Sequence, residues 1–170
     1  IWQRINENLH TTILQCNFPL MDDGVFGQYG NKTADSFLFQ QRKLNFLLME
    51  GCQEIKNVSI LDLDAIQAGR GRENFSDPKL YYIAKMPISM EALPAVAKSV
   101  VDIIQALRGA VKKCVVVDLD NTLWGGVIGD DGLSGIQIGE LGSGHAFTEF
   151  QFWLRELKNR GILLAVCSKN

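Results

Sequence analysis

The sequence predicts an α/β protein built on parallel strands. Three observations carry this expectation. Short apolar runs end in turn residues, amphipathic stretches of helical spacing separate those runs, and the sharpest run, residues 114–118 (CVVVD), is apolar on both faces. Strands that alternate with helices join in parallel and are covered by those helices. A strand apolar on both faces belongs in the middle of such a sheet.

Residues 11–16 (TTILQC) are a short apolar run leading into the turn-rich 17–32, and read as a buried strand. Asp35 opens a helix to about Glu54, with Phe37, Leu38, Leu44, Leu47, Leu48 and Gly51 along its inner side. Residues 58–63 (VSILDL) form the next strand, and 67–77 (QAGRGRENFSD) a polar loop. From about Ser89 to Leu107, Leu93, Val96, Ala97, Val100, Ile103, Ile104 and Leu107 recur at helical spacing, and Gly109 suits the stop. Residues 124–138 (WGGVIGDDGLSGIQI) are rich in Gly and Asp and read as a hairpin-like excursion. A helix comes next over 145–160, with Phe147, Phe150, Leu154 and Leu157 on its core face. Gly161 stops it, and residues 162–167 (ILLAVC) form another buried strand. The expected boundary lies near 109–113, giving one α/β unit over 1–110 and the start of another over 111–170. The chain starts at Ile1 and stops at Asn170 in mid-motif, so it is expected to be a piece of a longer polypeptide.

The 170 residues are 46% hydrophobic and 21% charged, an ordinary globular composition. Seventeen basic against nineteen acidic residues give a net charge of −2, which argues against nucleic acid or an anionic membrane as partner. No apolar run is long enough to cross a bilayer, and no basic-then-apolar leader opens the chain. The cysteines Cys16, Cys52, Cys114 and Cys167 show no metal-type spacing. Three fall in or beside strands, where a thiol usually serves as a small buried hydrophobe. A reducing, cytoplasmic setting is expected.

The chemistry concentrates at residues 115–124 (VVVDLDNTLW). A strand ending in D-x-D-x-T places Asp118 and Asp120 at its carboxyl edge, where open α/β sheets bind ligands. Because the chain leaves strand geometry here, both carboxylates can turn toward one site. An aspartate can attack phosphorus to form an aspartyl-phosphate, and a second carboxylate can exchange protons with the leaving and attacking oxygens. Two carboxylates and a phosphate need a cation, and Mg²⁺ with about one or two carboxylate ligands and several waters fits. The chain supplies its own control. Residues 60–66 (ILDLDAI) repeat D-x-D at Asp62 and Asp64, but Ile66 stands where a Thr would, so that copy reads as strand-end solvation. About fifty residues beyond Asp118, Ser168 comes after another strand. A unit of that length brings Ser168 beside Asp118, where its hydroxyl and the next backbone N–H groups can hold phosphate oxygens.

VVVDLDNTLWGGVIGDDG and LLAVCSKN together resemble the haloacid dehalogenase (HAD) superfamily, in its FkbH-like branch, subfamily IIIC. The resemblance covers residues 113–170. It implies an incomplete, Rossmann-like HAD core whose function is Mg²⁺-dependent phosphatase or phosphotransferase chemistry. Asp118 is then the nucleophile and Asp120 the acid/base, with phosphate bound at Thr122, Ser168 and Lys169. Mg²⁺ would be held by the Asp118 carboxylate and the Asp120 backbone carbonyl. The family's Lys or Arg motif and its further acidic motif would lie beyond Asn170, so this stretch alone is expected to bind metal weakly and turn over little. The short excursion resembles the open sites of subfamily III. The best-known role of FkbH-like proteins implies a phosphorylated three-carbon donor and an acyl-carrier protein as partners, in secondary-metabolite or surface-sugar pathways. A thiol such as Cys167 could carry the acyl group as a thioester; the plainer expectation for Cys167 is a core-facing end of the strand.

In such proteins the preceding segment resembles a flavodoxin-like SGNH hydrolase, and residues 1–108 fit its later half. Asn17 comes after a strand as an oxyanion-hole Asn does, and Asp77 stands where a D-x-x-H motif would begin, but Leu80 replaces the His. Without that base a serine hydrolase has no proton acceptor. Neither His10, at a strand entrance, nor His145, opening a helix, is placed to supply one. Three functions therefore compete: the enzyme at Asp118; a carrier-protein or carbohydrate-binding module beside an accessory or inactive phosphatase half; and an SGNH esterase, which Leu80 disfavours. Asp130 and Asp131 read as solvated turn residues, Gly125 and Gly126 as sites of unusual backbone angles. Arg70, Arg72, Lys79 and Lys85 could meet a phosphorylated or acidic partner, but read first as scattered surface charge.

Overall fold

The computed structural model describes residues 1–169; Asn170, the last residue of the LLAVCSKN motif, lies outside them. The chain divides into two compact units, Ile1–Gly109 and Ala110–Asn170. Both are α/β, and each holds a two-stranded parallel sheet.

In the first unit, α1 (Trp2–Leu9) leads into β1 (Ile13–Cys16), and α2 (Phe37–Gln53) crosses to β2 (Val58–Leu61). The strands pair in parallel from Ile13 opposite Val58 to Cys16 opposite Leu61. Next come α3 (Leu63–Arg70), α4 (Arg72–Phe75), α5 (Pro78–Ala84) and α6 (Leu93–Leu107). Both α2 and α6 pack against β2. The core gathers Leu61, Leu63, Phe75 and Ala92, with Ile66, Ile88, Val96, Val100 and Ile103 packed around them.

Helix α2 starts where a cap allows it rather than at Asp35. The Ser36 hydroxyl accepts from Phe39 N at 3.1 Å and donates to Gly30 O at 2.5 Å. Its inner face also differs from the apolar stripe expected. Of the six residues read as inward, Leu38 alone is buried, and Phe37, Leu44 and Leu47 are exposed. Gln41 and Asn45 are buried instead. The Gln41 amide accepts from Met21 N at 3.1 Å and donates to Met21 O at 2.9 Å. Asn45 does the same for Phe18, at 2.9 and 2.7 Å. Two side-chain amides, one turn apart, thus clamp the backbone of the segment after β1. They satisfy polar groups that a hydrophobic stripe would have left unpaired.

The stretch 67–77, read as a polar loop, is the end of α3 and then α4, and its Phe75 is 0% exposed. Arg70, Arg72, Glu73 and Asn74 are exposed on these two short helices, while Gln67 is buried and the aromatic ring anchors the core. Asp77 caps α5, accepting from Lys79 N at 2.8 Å and Leu80 N at 3.4 Å, with Pro78 at the first helical position. Helix α6 begins at Leu93 rather than Ser89 because Ser89 closes a turn there, accepting from Ala92 N at 3.2 Å and donating to Asn74 O at 2.8 Å.

In the second unit, β3 (Cys114–Val117) pairs in parallel with β4 (Leu163–Val166), from Cys114 opposite Leu163 to Val117 opposite Val166. Between them lie α7 (Ile128–Gly135) and α8 (Ser143–Asn159), and α8 packs on β4. Strand β3 was expected to be apolar and covered on both faces. Val117 is buried but Val116 is 60% exposed, and β3 is paired along one edge only among the described residues. The excursion is not a plain hairpin. An antiparallel bridge joins Gly125 to Gln137, and the chain inside it winds into α7, kinked at Gly132. Three cysteines expected inside are exposed: Cys16, Cys114 and Cys167 stand at or beyond strand ends, and Cys52 is half-buried. Among the described residues no helix is long and apolar enough to cross a membrane.

Phe75→Ala should remove about 3–5 kcal/mol of stability from the first unit, as emptying a filled aromatic site does. Urea unfolding tracked by far-ultraviolet circular dichroism measures this; a loss below about 1 kcal/mol would show that the ring is not the anchor of that core.

Candidate active site

The carboxyl end of β3 carries the residues singled out by the sequence. Asp118 comes directly after the strand and is exposed. Its Oδ1 accepts from the amide of Leu119 at 2.8 Å. Cys167 N donates to Val117 O at 2.9 Å, so the ladder continues one step past β4. That register carries Asp118, Cys167 and half-buried Ser168 to the same edge of the strand pair, with exposed Lys169 next in the chain. Cys167 is exposed there, not turned into the core as expected.

The loop after Asp118 is a tight, internally bonded turn. Thr122 N and Leu123 N both donate to Leu119 O, at 3.2 and 2.8 Å, so half-buried Thr122 is fixed through its backbone. Asn121 adopts φ 54°, a left-handed conformation that Asn tolerates better than most residues. Its N donates to Gly126 O at 3.2 Å, and its Oδ1 accepts from Gly126 N at 3.0 Å. Asp120 is half-buried, and its Oδ1 accepts from the indole Nε1 of Trp124 at 3.0 Å and from Ile128 N at 3.1 Å. Leu123 O, just before Trp124, accepts from Gln151 Nε2 of α8 at 2.6 Å.

The two glycines of the excursion differ in their reasons. Gly126 has φ +95°, and a Cβ there would lie 2.7 Å from Asp131 Oδ2. Gly125 has no positive φ; a Cβ on it would lie 2.8 Å from the ring of Phe147. Asp131 is more than a solvated turn residue: its Oδ2 accepts from Val127 N at 2.8 Å and steadies the start of α7. Asp130 is exposed.

Trp124 and the Ile128 amide are the contacts of Asp120 that sequence reasoning missed. The available signal was an N–H-bearing aromatic four residues after the second Asp. Among the described residues no cluster of three or more His, Cys, Asp or Glu is placed to hold a metal. The Asp118 carboxylate and the Asp120 main-chain carbonyl are hard oxygen donors, few in number. They suit Mg²⁺, which keeps several waters, better than a transition metal.

The second D-x-D copy has a different use. Asp62 caps α3, accepting from Ala65 N at 2.9 Å and from Asn17 Nδ2 at 2.7 Å. Asn17 is buried, and its Oδ1 accepts from Leu63 N at 2.7 Å and Asp64 N at 3.2 Å. The amide read as an oxyanion-hole donor therefore ties the end of β1 to the start of α3. His10 closes α1 in a left-handed conformation, and His145 lies on the surface of α8, 4.0 Å from Glu149.

Residues 1–105 match the family model described as FkbH, N-terminal domain. Among solved structures, the chain resembles the crystal structure of the N-terminal part of the protein BF1531 from Bacteroides fragilis, described as containing a phosphatase domain and complexed with Mg. The two are 44% identical with a TM-score of 0.88, over 99% of this chain and 45% of that one. This chain therefore spans less than half of that solved chain. Among curated proteins nothing matches.

Gly126→Ala should destabilise the second unit by about 1 kcal/mol or more, through both its backbone angle and the Asp131 carboxylate. It should also speed proteolysis within residues 125–137. Limited proteolysis against the parent chain checks this, and unchanged cleavage would show that the turn tolerates a side chain.

Proposed function

Because this chain belongs to the FkbH N-terminal domain family, we propose that its second unit begins a HAD-type phosphohydrolase or phosphotransferase site with Asp118 as nucleophile. The observation that supports this reading is the exposed Asp118 carboxylate at the carboxyl end of β3, on the same edge as Ser168. The phosphatase domain of the solved Bacteroides fragilis relative and its Mg agree with it.

In this reading an Asp118 oxygen attacks phosphorus while the bond to the leaving oxygen breaks. Asp120 gives that oxygen a proton. Water then attacks the aspartyl-phosphate, Asp120 takes up its proton, and phosphate leaves with Asp118 restored. An alcohol in place of water turns hydrolysis into transfer. Backbone N–H groups around Ser168 and Lys169, with the Thr122 and Ser168 hydroxyls, hold the phosphate oxygens. Mg²⁺, held by Asp118 and the Asp120 carbonyl, would offset the negative charge gathered there. Completion of the site by a Lys or Arg and a further acidic group from sequence beyond Asn170 belongs to the same proposal. The FkbH likeness extends it to glyceryl transfer from a phosphorylated three-carbon donor to an acyl-carrier protein, with exposed Cys167 as the thioester carrier. The first unit serves as a binding part rather than an SGNH hydrolase, since Asn17 is engaged by α3 and Leu80 stands where a base would.

In a polypeptide extended past Asn170 to the span of the solved relative, p-nitrophenyl phosphate should be hydrolysed only with Mg²⁺. Asp118→Asn should cut kcat by about 10⁴-fold, the scale of losing a covalent nucleophile. Equal rates for the two proteins would end the enzymatic reading. A serine-reactive fluorophosphonate probe on the same polypeptide should leave the first unit unlabelled; a labelled serine there would restore the esterase alternative.

A further inference from the structure

We infer that Trp124 is a positioning residue for the acid/base carboxylate: its indole N–H, with the Ile128 amide, fixes Asp120 and ties it to the neighbouring excursion. The inference rests on the proposed role of Asp120 and adds to it a residue with no chemistry of its own.

Both donors reach one oxygen, Asp120 Oδ1, at 3.0 and 3.1 Å. An indole N–H can only donate, so this contact is satisfied by an acceptor and sets its direction. The two donors come from different parts of the excursion. Trp124 precedes the Gly125–Gln137 bridge, whose two hydrogen bonds measure 2.9 and 2.8 Å, and Ile128 opens α7 inside it. Asp120 thereby joins the turn after β3 to both the entrance and the interior of the excursion.

The frame that holds the indole is itself anchored. Gln151 of α8 bonds Leu123 O at 2.6 Å, one residue before Trp124. Asn121 and Gly126 exchange two hydrogen bonds across the same turn, and Asp131 bonds Val127 N at 2.8 Å, one residue before Ile128. A proton donor must sit within a fraction of an ångström of the leaving oxygen's proper place to act in the transition state. Groups held by packed neighbours and a second set of hydrogen bonds meet that demand. A carboxylate held through one oxygen by two donors of fixed direction is so placed.

A merely structural role for Trp124 would brace the fold without favouring one chemical step. Protonation of the leaving oxygen matters most when the leaving group is poor, which gives the distinguishing readout. In the extended polypeptide, Trp124→Phe keeps an aromatic ring and removes the N–H. Its kcat should fall by about 10- to 100-fold on an alkyl phosphate, a part of what general acid catalysis contributes, but less than about threefold on p-nitrophenyl phosphate. Equal losses on both substrates, or none on either, would overturn the inference.

A second arm needs no activity. The 170-residue chain has three tryptophans, hence three indole N–H signals under ¹⁵N labelling, and Trp124→Phe identifies its own by loss. Asp120→Ala should move the Trp124 signal to the position of a water-exposed indole and speed its exchange. The Trp2 and Trp153 signals should stay in place and report intact folding. Asp120→Asn, which keeps an acceptor oxygen, should largely preserve the signal. A Trp124 signal indifferent to Asp120→Ala would show that the bond does not form in solution, whatever the kinetics. If instead Asp118→Asn proves as active as the parent while the indole signal moves, the tether stands and the catalytic reading of the site falls.

Discussion

Parallel pairing governs what this molecule can do. Two parallel strands end on the same edge, and the chain between them must cross back over the sheet. In the second unit that crossover is residues 118–162, and it returns Cys167 and Ser168 to the edge that Asp118 left. No contact between the two sequence segments could be arranged locally. The strand register makes it, and the excursion and α8 are the length of chain that lets it happen.

The two D-x-D copies show how the same letters take different work from their neighbours. At Asp62 the chain enters a helix at once, so the carboxylate is drawn to the free amides of the first turn and to Asn17. At Asp118 the chain turns instead of coiling, Asn121 takes a left-handed conformation, and the helix waits until Ile128. The second carboxylate of that copy meets an indole and a more distant helix start. An aspartate at a strand end therefore caps the next helix or is left at the strand tip according to how soon the chain beyond it coils.

Much of this was readable in the sequence. The four strands lie within the apolar runs that suggested them, to within two residues at each end, and α2, α6 and α8 lie in the three long stretches read as helical. The short helices α1, α3, α4, α5 and α7 escaped because about two turns or fewer hold too few residues for a period to show. The inner face of α2 escaped for a different reason. Gln41 and Asn45 are buried by backbone partners in residues 18–21, and no pattern of hydropathy announces a partner distant in sequence. The exposed strand faces and thiols were misjudged because apolar letters report what a strand can cover, not what stands against it. At the site, the residue types and their shared edge were legible. The Trp124–Asp120 bond was not, since it depends on where a tight turn points one indole.

Thiols standing free at strand ends make the molecule sensitive to its solvent. Cys16, Cys114 and Cys167 are all open to water. Exposed thiols exchange with any disulfide they meet, at rates set by their thiolate fraction and access. In aerated buffer, copies of the chain would couple to one another through these positions, and the apparent size of the particle would report the redox history of the sample rather than a true assembly.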